Sequence, residues 1–284
     1  MSLPSEPGGS SIYDDRFDRN RESSVDRSAR EAVPLILDLV APQSVVDVGC
    51  GTGTWLHVFH SLGVNDIFGI DGPWCSDVLR VIESEHFAAI DLRLPFTLPR
   101  RFDLVLCLEV AEHLATDRAT GLVDDLCRLA PVIVFSAAIP GQGGTGHVNE
   151  QWPMYWATLF EQRGFLAVDV LRPALWDNAS VNAWYAQNMI LYVHKDHALR
   201  DIGGLSRWSR PPRSLVHPSL FLSHAGTAST AAPGDLLAGA TLGQLFRALP
   251  GSLIRSVTTR LGLSRRNGHD RPGPGMPRTQ GDPE

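Results

Sequence analysis

The chain has 284 residues, 43% of them apolar and 20% charged, which is the composition of a soluble domain able to bury a substantial core. Its net charge of −6 argues against a nucleic-acid partner, because such binders usually carry a basic stripe. The cysteines Cys50, Cys75, Cys107 and Cys127 are scattered without paired spacing, which speaks against a disulfide framework or a structural zinc site.

Residues 1–27 are polar and charged and are expected to form a flexible arm or cap, with Tyr13 placed to fold over a ligand. Residues 28–197 hold the periodic elements. A helix is expected over Arg30–Val40, stopping before Pro42, and a buried strand over Ser44–Val48. A helix over Thr54–Leu62 ends at Gly63. Strands follow at Asp66–Ile70, Phe87–Ile90 and Phe102–Leu108. Asp117–Leu129 places Ala119, Leu122, Val123, Leu126 and Leu129 on one helical face. A strand at Val132–Ser136, a helix at Trp152–Gln162, and strands at Leu166–Leu171 and Met189–His194 complete the domain. Residues 198–266 are expected as an extension, with an amphipathic helix suggested by Leu236, Leu242, Leu245 and Leu249 that could support a homodimer. Residues 267–284, rich in Gly, Pro and Arg, are expected to be disordered. No apolar run is long enough to span a bilayer, and the start lacks the apolar stretch of a signal peptide, so the expected location is the cytoplasm.

Repeated β-α-β units point to a largely parallel sheet with helices on both faces. Ligands bind such sheets beyond the carboxyl ends of the strands. The first strand runs into Asp47-Val48-Gly49-Cys50-Gly51-Thr52-Gly53-Thr54-Trp55. These glycines permit positive φ and close approach of a ligand to the backbone. Their spacing is G-x-G-x-G rather than the dinucleotide G-x-G-x-x-G, which disfavours a nicotinamide oxidoreductase. Asp47 would repel a pyrophosphate and attract a cationic amino-acid moiety. The second strand ends in Asp71-Gly72, where a carboxylate can accept from ribose hydroxyls. The third ends in Asp91-Leu92, offering an acceptor for an adenine amino group and an apolar cover for its ring. The fourth ends in Glu109-Val110-Ala111-Glu112-His113-Leu114.

Taken together, D-x-G-x-G-x-G, I-D-G, I-D-L and F-D-L-V-x-x-x-E-V-x-E-H-L resemble the class I S-adenosylmethionine (SAM)-dependent methyltransferases over residues 30–194. That resemblance implies a Rossmann-like seven-stranded sheet, six strands parallel and the last antiparallel, with SAM as cofactor. It implies that Asp47 and the Gly49–Gly53 turn lie near the methionine moiety, Asp71 on the ribose and Asp91 near the adenine. The expected cofactor-contacting set is Asp47, Gly49, Cys50, Gly51, Gly53, Trp55, Asp71, Gly72, Asp91, Leu92, Glu109 and Val110.

O-methylation of a neutral hydroxyl benefits from a base, and two histidines follow strand ends: His147 and His113. His147 lies in a glycine-rich segment suited to a mobile lid. The phrase G-x-H-V-N-E-Q-W around it resembles bacterial methyltransferases associated with sugars and polysaccharide clusters. Candidate acceptor contacts are Tyr13, Glu150, Trp152, Trp176, Asn178, Trp184 and Gln187, since aromatics stack on sugar faces and amides bond hydroxyls. The leading expectation is therefore metal-free O-methyl transfer to a sugar or oligosaccharide, with His147 as base. One alternative follows the E-x-x-E-H pattern, which is similar to that of quinone-biosynthesis O-methyltransferases. There Glu109, Glu112 and His113 would hold a metal that activates a phenol or quinol. Another is a SAM-binding subunit without catalysis.

Overall fold

The computed structural model describes residues 15–75, 81–198 and 208–223. The chain divides into two compact units, residues 1–224 and 225–284, and every described residue lies in the first. Tyr13, the extension helix beyond residue 223 and the 267–284 tail therefore lie outside the described residues. No described helix is long and apolar enough to cross a membrane.

In chain order the elements are α1 (Asp15–Val40), β1 (Ser44–Val48), α2 (Thr54–Ser61), β2 (Asp66–Asp71), β3 (Phe87–Ala89), β4 (Leu104–Leu108), α3 (Ala119–Leu129), β5 (Val132–Ser136), α4 (Pro153–Glu161), β6 (Phe165–Val168), α5 (Leu171–Leu175), α6 (Ala183–Asn188) and β7 (Ile190–His194). The sheet has seven strands in the order β3-β2-β1-β4-β5-β7-β6. β7 runs antiparallel to both neighbours, and the other pairings are parallel. The chain leaves β1 towards β3 and then returns to place β4 against β1. The carboxyl ends of β1 and β4 therefore flank the switch point where such sheets bind ligands.

The core follows from the two-residue period of the strands. On one face Val45, Leu104, Leu106, Val132, Val134, Leu191 and Val193 meet α1, α2, α5 and α6 through Ala32, Ile36, Leu56, Phe59, Leu175 and Tyr185. On the other, Val46, Val105, Cys107, Ile133, Phe135, Ile190 and Tyr192 meet α3 and α4 through Leu122, Leu126, Trp156 and Phe160. Burial on both faces is why these strands read as continuous apolar runs.

Two sequence expectations are corrected. The first helix begins at Asp15 rather than Arg30, so residues 15–27 continue α1 where a flexible arm was expected; Pro34 lies inside it without ending it. The run to Leu171 is split, because β6 stops at Val168 and Leu171 opens α5. The segment with Trp176 and Trp184 is helical at both ends (α5 and α6), a period that its few scattered apolar positions do not display.

One buried ion cluster locks α3 to the loop after β3. Arg118, 8% exposed, donates to the carbonyls of Leu92 (2.9 Å) and Leu94 (3.0 Å) and pairs with Asp125, 2% exposed, which Arg128 also contacts. Removing one partner of a buried pair leaves an uncompensated charge. Asp125→Ala is expected to cost about 3–5 kcal/mol in urea unfolding. A loss below about 1 kcal/mol, the scale of an exposed pair, would show that this cluster is not a structural anchor.

Candidate active site

The turn after β1 is built by glycines that no other residue replaces cheaply. Gly49, Gly51 and Gly53 have φ of +85°, +52° and +81°. A Cβ on Gly49 would stand 2.4 Å from Val110, whereas one on Gly51 would meet nothing within 4 Å. The turn is thus packed from below and open above, the shape of a ligand cradle. It is tied to the end of β2: the amides of Gly49 and Cys50 donate to the Ile70 carbonyl (2.7 and 3.2 Å). The Asp71 carboxylate accepts from the amides of Gly51 (2.8 Å) and Gly72 (2.6 Å).

Asp47 is 2% exposed at the end of β1. Burial, with the nearby Asp71 charge adding, pushes its carboxyl up to about 8. A cation seated on this cradle would reverse that balance, so the donor set fits a ligand with a positive amino-acid portion and hydroxyls. Trp55 packs edge-on against Tyr185 (5.2 Å), and its buried indole N–H has no hydrogen-bond acceptor. Cys50 is buried against Gly69, and burial raises its thiol well above the usual range. Both Asp91 oxygens carry bonds from the Arg93 side chain (2.7–3.1 Å), so that carboxylate is already engaged; Leu92 beside it is buried.

After β4 the backbone at Glu109 takes φ +54°, a sparsely populated conformation for a non-glycine residue. Its amide donates to the carbonyl (3.0 Å) and hydroxyl (3.1 Å) of Ser136. Its carboxylate accepts from Asn188 (3.1 Å) and Gln142 (3.1 Å). Burial raises the Glu109 carboxyl, against the pull of those donors. Glu112 is wholly buried, and burial together with the Glu109 charge pushes it up to about 9. The amides of Glu112 and Ala138 oppose this, and the Glu112 carboxyl meets that of Glu109, although neither of its oxygens completes a well-aligned hydrogen bond.

The segment between β5 and α4 closes over this turn. The Glu112 carbonyl accepts the amides of Val148 (2.8 Å) and Asn149 (3.0 Å), and the Gln151 amide reaches the Ala138 carbonyl (3.2 Å). The side chain of buried Asn149 holds Thr116 and Gln151, each at 3.0 Å. His147 is brought to His113, with ring centroids 4.9 Å apart and nearly perpendicular. His147 Nδ1 lies 2.9 Å from a Glu150 oxygen, and Glu150 also accepts the amides of Gly141 (2.7 Å) and Gly143 (2.8 Å). Burial works to raise the Glu150 carboxyl, but the bond from His147 and those two amides outweigh it and hold it below its ordinary value. An ionised carboxylate only accepts, so His147 donates through Nδ1, and the neutral form of that tautomer carries its lone pair on Nε2.

Glu109, Glu112, His113, His147 and Glu150 thus gather at one end of the sheet. The Glu109 carboxylate accepts from Asn188 and Gln142 and also meets the Glu112 carboxyl, which with His113 groups with His147. Of the candidate acceptor contacts, Trp152 is 40% exposed at the head of α4 and Gln187 bonds Gln142 (3.0 Å). Asn178, Trp176 and Trp184 make contacts within the scaffold, and Tyr13 lies outside the described residues. Asn178 bonds Glu31 of α1 (2.8 Å) and the Ser180 amide (2.9 Å). The Trp176 ring lies tilted against that of His217 (centroids 4.9 Å apart), and Trp184 packs on the apolar cluster beside Tyr185. Sequence reading missed Ser136, Gln142, Asn149 and His217. Only the position of Ser136, Gln142 and Asn149 at or after the end of a strand could have flagged them.

Asp47 and Glu112, held near 8 and 9, are protonated in the folded chain at neutral pH and ionised when unfolded, near 4. The folded state binds the extra protons, so stability falls as pH rises from about 4 to about 9. Without cofactor, Tm is expected to decline from about pH 6 to about pH 9, and Asp47→Asn to flatten the decline. A wild-type slope in that variant would show that Asp47 does not carry it.

A family model described as a methyltransferase domain matches residues 17–165. A search of curated proteins finds no match. Among solved structures, a sugar N-methyltransferase from Streptoalloteichus sp ATCC 53650 is 18% identical, with 69% of this chain and 99% of that chain covered and a TM-score of 0.51. An amino pentose methyltransferase from Micromonospora echinaspora is 16% identical, with 66% and 100% covered and a TM-score of 0.48. Magnesium protoporphyrin IX methyltransferase from Synechocystis PCC 6803 is 17% identical, with 66% and 90% covered and a TM-score of 0.46. At these identities the likeness speaks to the fold alone. With the glycine turn, the strand-end carboxylates and a family match over more than half its length, the chain belongs to the methyltransferase-domain family of class I SAM-dependent enzymes.

Proposed function

We propose that this enzyme transfers the methyl group of SAM to a hydroxyl of a sugar or sugar-containing small molecule, with His147 as general base. The observation that carries this reading is the 2.9 Å contact between His147 Nδ1 and Glu150, beside the turn after β4. A base oriented by a carboxylate is the arrangement that activates a weak hydroxyl nucleophile.

SAM, when bound, supplies an electrophilic methyl on a sulfonium; the protein's part is alignment and proton removal. On this reading Asp47 faces the cationic amino-acid portion, and Gly49, Gly51 and Gly53 let it approach the backbone. Asp71, already bonded to two amides of the cradle, uses its remaining lone pairs for ribose hydroxyls. Val110, packed on Gly49, sets the depth of the cradle. His147 Nε2 takes the acceptor's hydroxyl proton as the oxygen attacks, and Glu150 stabilises the imidazolium that forms. Gln142, Gln187 and Asn188 give the neighbourhood a neutral, amide-rich lining, which suits a polyol better than a charged acceptor. The shared fold of a sugar N-methyltransferase is compatible with such an acceptor, but a scaffold alone does not select one.

Asp71→Ala is expected to weaken SAM binding through both the lost acceptor and the loosened turn. An unchanged dissociation constant by calorimetry would remove Asp71 from the cofactor site. The acceptor is tested by incubating the enzyme with methyl-labelled SAM and oligosaccharide and aromatic fractions. Label in a saccharide is expected, and label confined to phenols would reject the sugar reading. In the same assay His147→Ala should lower turnover roughly 10²–10⁴-fold while SAM binding persists. Full turnover in that variant would eliminate His147 as base.

A further inference from the structure

We propose that residues 208–223 form a strap that belongs to the acceptor site: through His217 they fix which way the carboxamides of Gln187, Gln142 and Asn188 face, and so set how the acceptor is recognised. The recognition half rests on the acceptor reading above; the amide half does not. The strap lies past residues 17–165, the span of the matched family domain. The His217 amide donates to Gln187 Oε1 at 2.7 Å. Gln187 Nε2 donates in turn to Gln142 Oε1 and Asn188 Oδ1, each at 3.0 Å. Gln142 Nε2 and Asn188 Nδ2 then donate to the Glu109 carboxylate, both at 3.1 Å.

A carboxamide donates at one end and accepts at the other, so a linked set of them can run in either direction. A backbone N–H can only donate. With that group at one end, Gln187 must turn Oε1 to the strap and Nε2 to the site. Turned over, Gln187 would set its own NH₂ against the His217 N–H and its oxygen against those of Gln142 and Asn188. Its bonds to all of these partners would be lost together. Gln187 and Asn188 are buried, so groups left unpaired there are costly. Gln142 is half-buried and is the member of the set most open to a bound molecule.

Independent contacts seat the strap. Arg172, 0% exposed and paired with Asp169, donates to the Arg213 carbonyl (2.9 Å) and more weakly to the Gln187 carbonyl (3.4 Å). A buried guanidinium needs its acceptors, so one side chain ties the strap to α6. Ser209 bridges to Val168 at the end of the edge strand β6. The His217 ring completes the seat. Its Nδ1 accepts the Ser219 amide (3.2 Å), and its Nε2–H donates to the Trp176 carbonyl (2.9 Å). His217 is a positioning residue: it acts on the acceptor through Gln187.

The test uses the full chain with His217→Ala, His217→Gln or Leu222→Ala. A glutamine Nε2 restores the donor to the Trp176 carbonyl, and Leu222, 64% exposed on the strap, is the control. By NMR of nitrogen-labelled side-chain amides, the Gln187 NH₂ protons are expected to exchange about tenfold faster in His217→Ala than in the wild type, the scale of one lost hydrogen bond. His217→Gln and Leu222→Ala should exchange as the wild type does. The methyl-transfer assay uses whichever fraction, saccharide or phenolic, the wild-type enzyme labels. Half-saturation by that fraction should rise about tenfold in His217→Ala and recover in His217→Gln, while the Kd for SAM stays within about twofold. Unchanged Gln187 exchange in His217→Ala overturns the strap's hold on the amides. Faster exchange with unchanged half-saturation overturns its part in recognition, and SAM binding weakened as much as the acceptor's overturns it too, as a general loosening. Label confined to phenols rejects the sugar reading, and the same comparison then decides the strap on the phenol.

Discussion

Carboxyl groups crowded out of water at the carboxyl ends of β1, β2 and β4 set the terms for the rest of this site. Asp47 and Glu112 are buried, Glu109 is half-buried, and Asp71 lies beside Asp47. Like charges in a low-dielectric pocket cannot all ionise without help. The protein helps only some of them. Asp71 receives two cradle amides, and Glu109 receives two side-chain amides. Asp47 and Glu112 are pushed furthest up in proton affinity. These two positions are where a cation changes the energetics most, and they sit on either side of the switch point. On the proposed placement, the cofactor's positive portion faces the first, which would account for an acidic residue in a turn otherwise shaped like an anion site.

The second constraint is geometric. A loop carrying four glycines at positive φ between β5 and α4 has little reason to hold one conformation by itself. It is held by acceptors: the Glu112 carbonyl takes two of its amides, and the Glu150 carboxylate takes two more together with His147. Glu150 was expected as an acceptor contact, and it turns out to organise the loop and orient the histidine. On the proposed reading of His147 as base, the same carboxylate sets both the loop's shape and the tautomer of the imidazole, which would couple loop order to proton transfer.

Much of this architecture was legible beforehand, for identifiable reasons. β1 and β5 were placed to the residue because strands buried on both faces read as unbroken β-branched runs. The carboxylates were legible because each stands where an apolar run stops. What could not be read was where side chains point. Asn178 and Trp176 look like sugar contacts by type, but a bond to Glu31 and a ring contact with His217 commit them to the scaffold. Gln142 and Asn149 sit in a loop whose sequence has no period, so nothing in it marks which amide turns inward. The grouping of His113 with His147 depends on a contact across 34 residues that only the Glu112 carbonyl explains.

The amides near the site bear on what kind of acceptor can be recognised. Gln142 Oε1 takes bonds from Gln187 (3.0 Å), Asn188 (2.9 Å) and the Ile139 amide (3.3 Å), so these groups largely satisfy one another. A polyol reaching them must exchange bonds rather than fill vacant ones, and such exchanges yield specificity more readily than affinity. Affinity then has to come from apolar contact. The same loop and the start of α4 expose it, with Val148 64%, Trp152 40% and Met154 41% exposed next to His147 in the chain. A bare monosaccharide uses little of that surface. On the proposed reading, a sugar carried on an apolar or aromatic aglycone would use these exposed apolar side chains for binding and the amides for orientation, which a bare sugar would not.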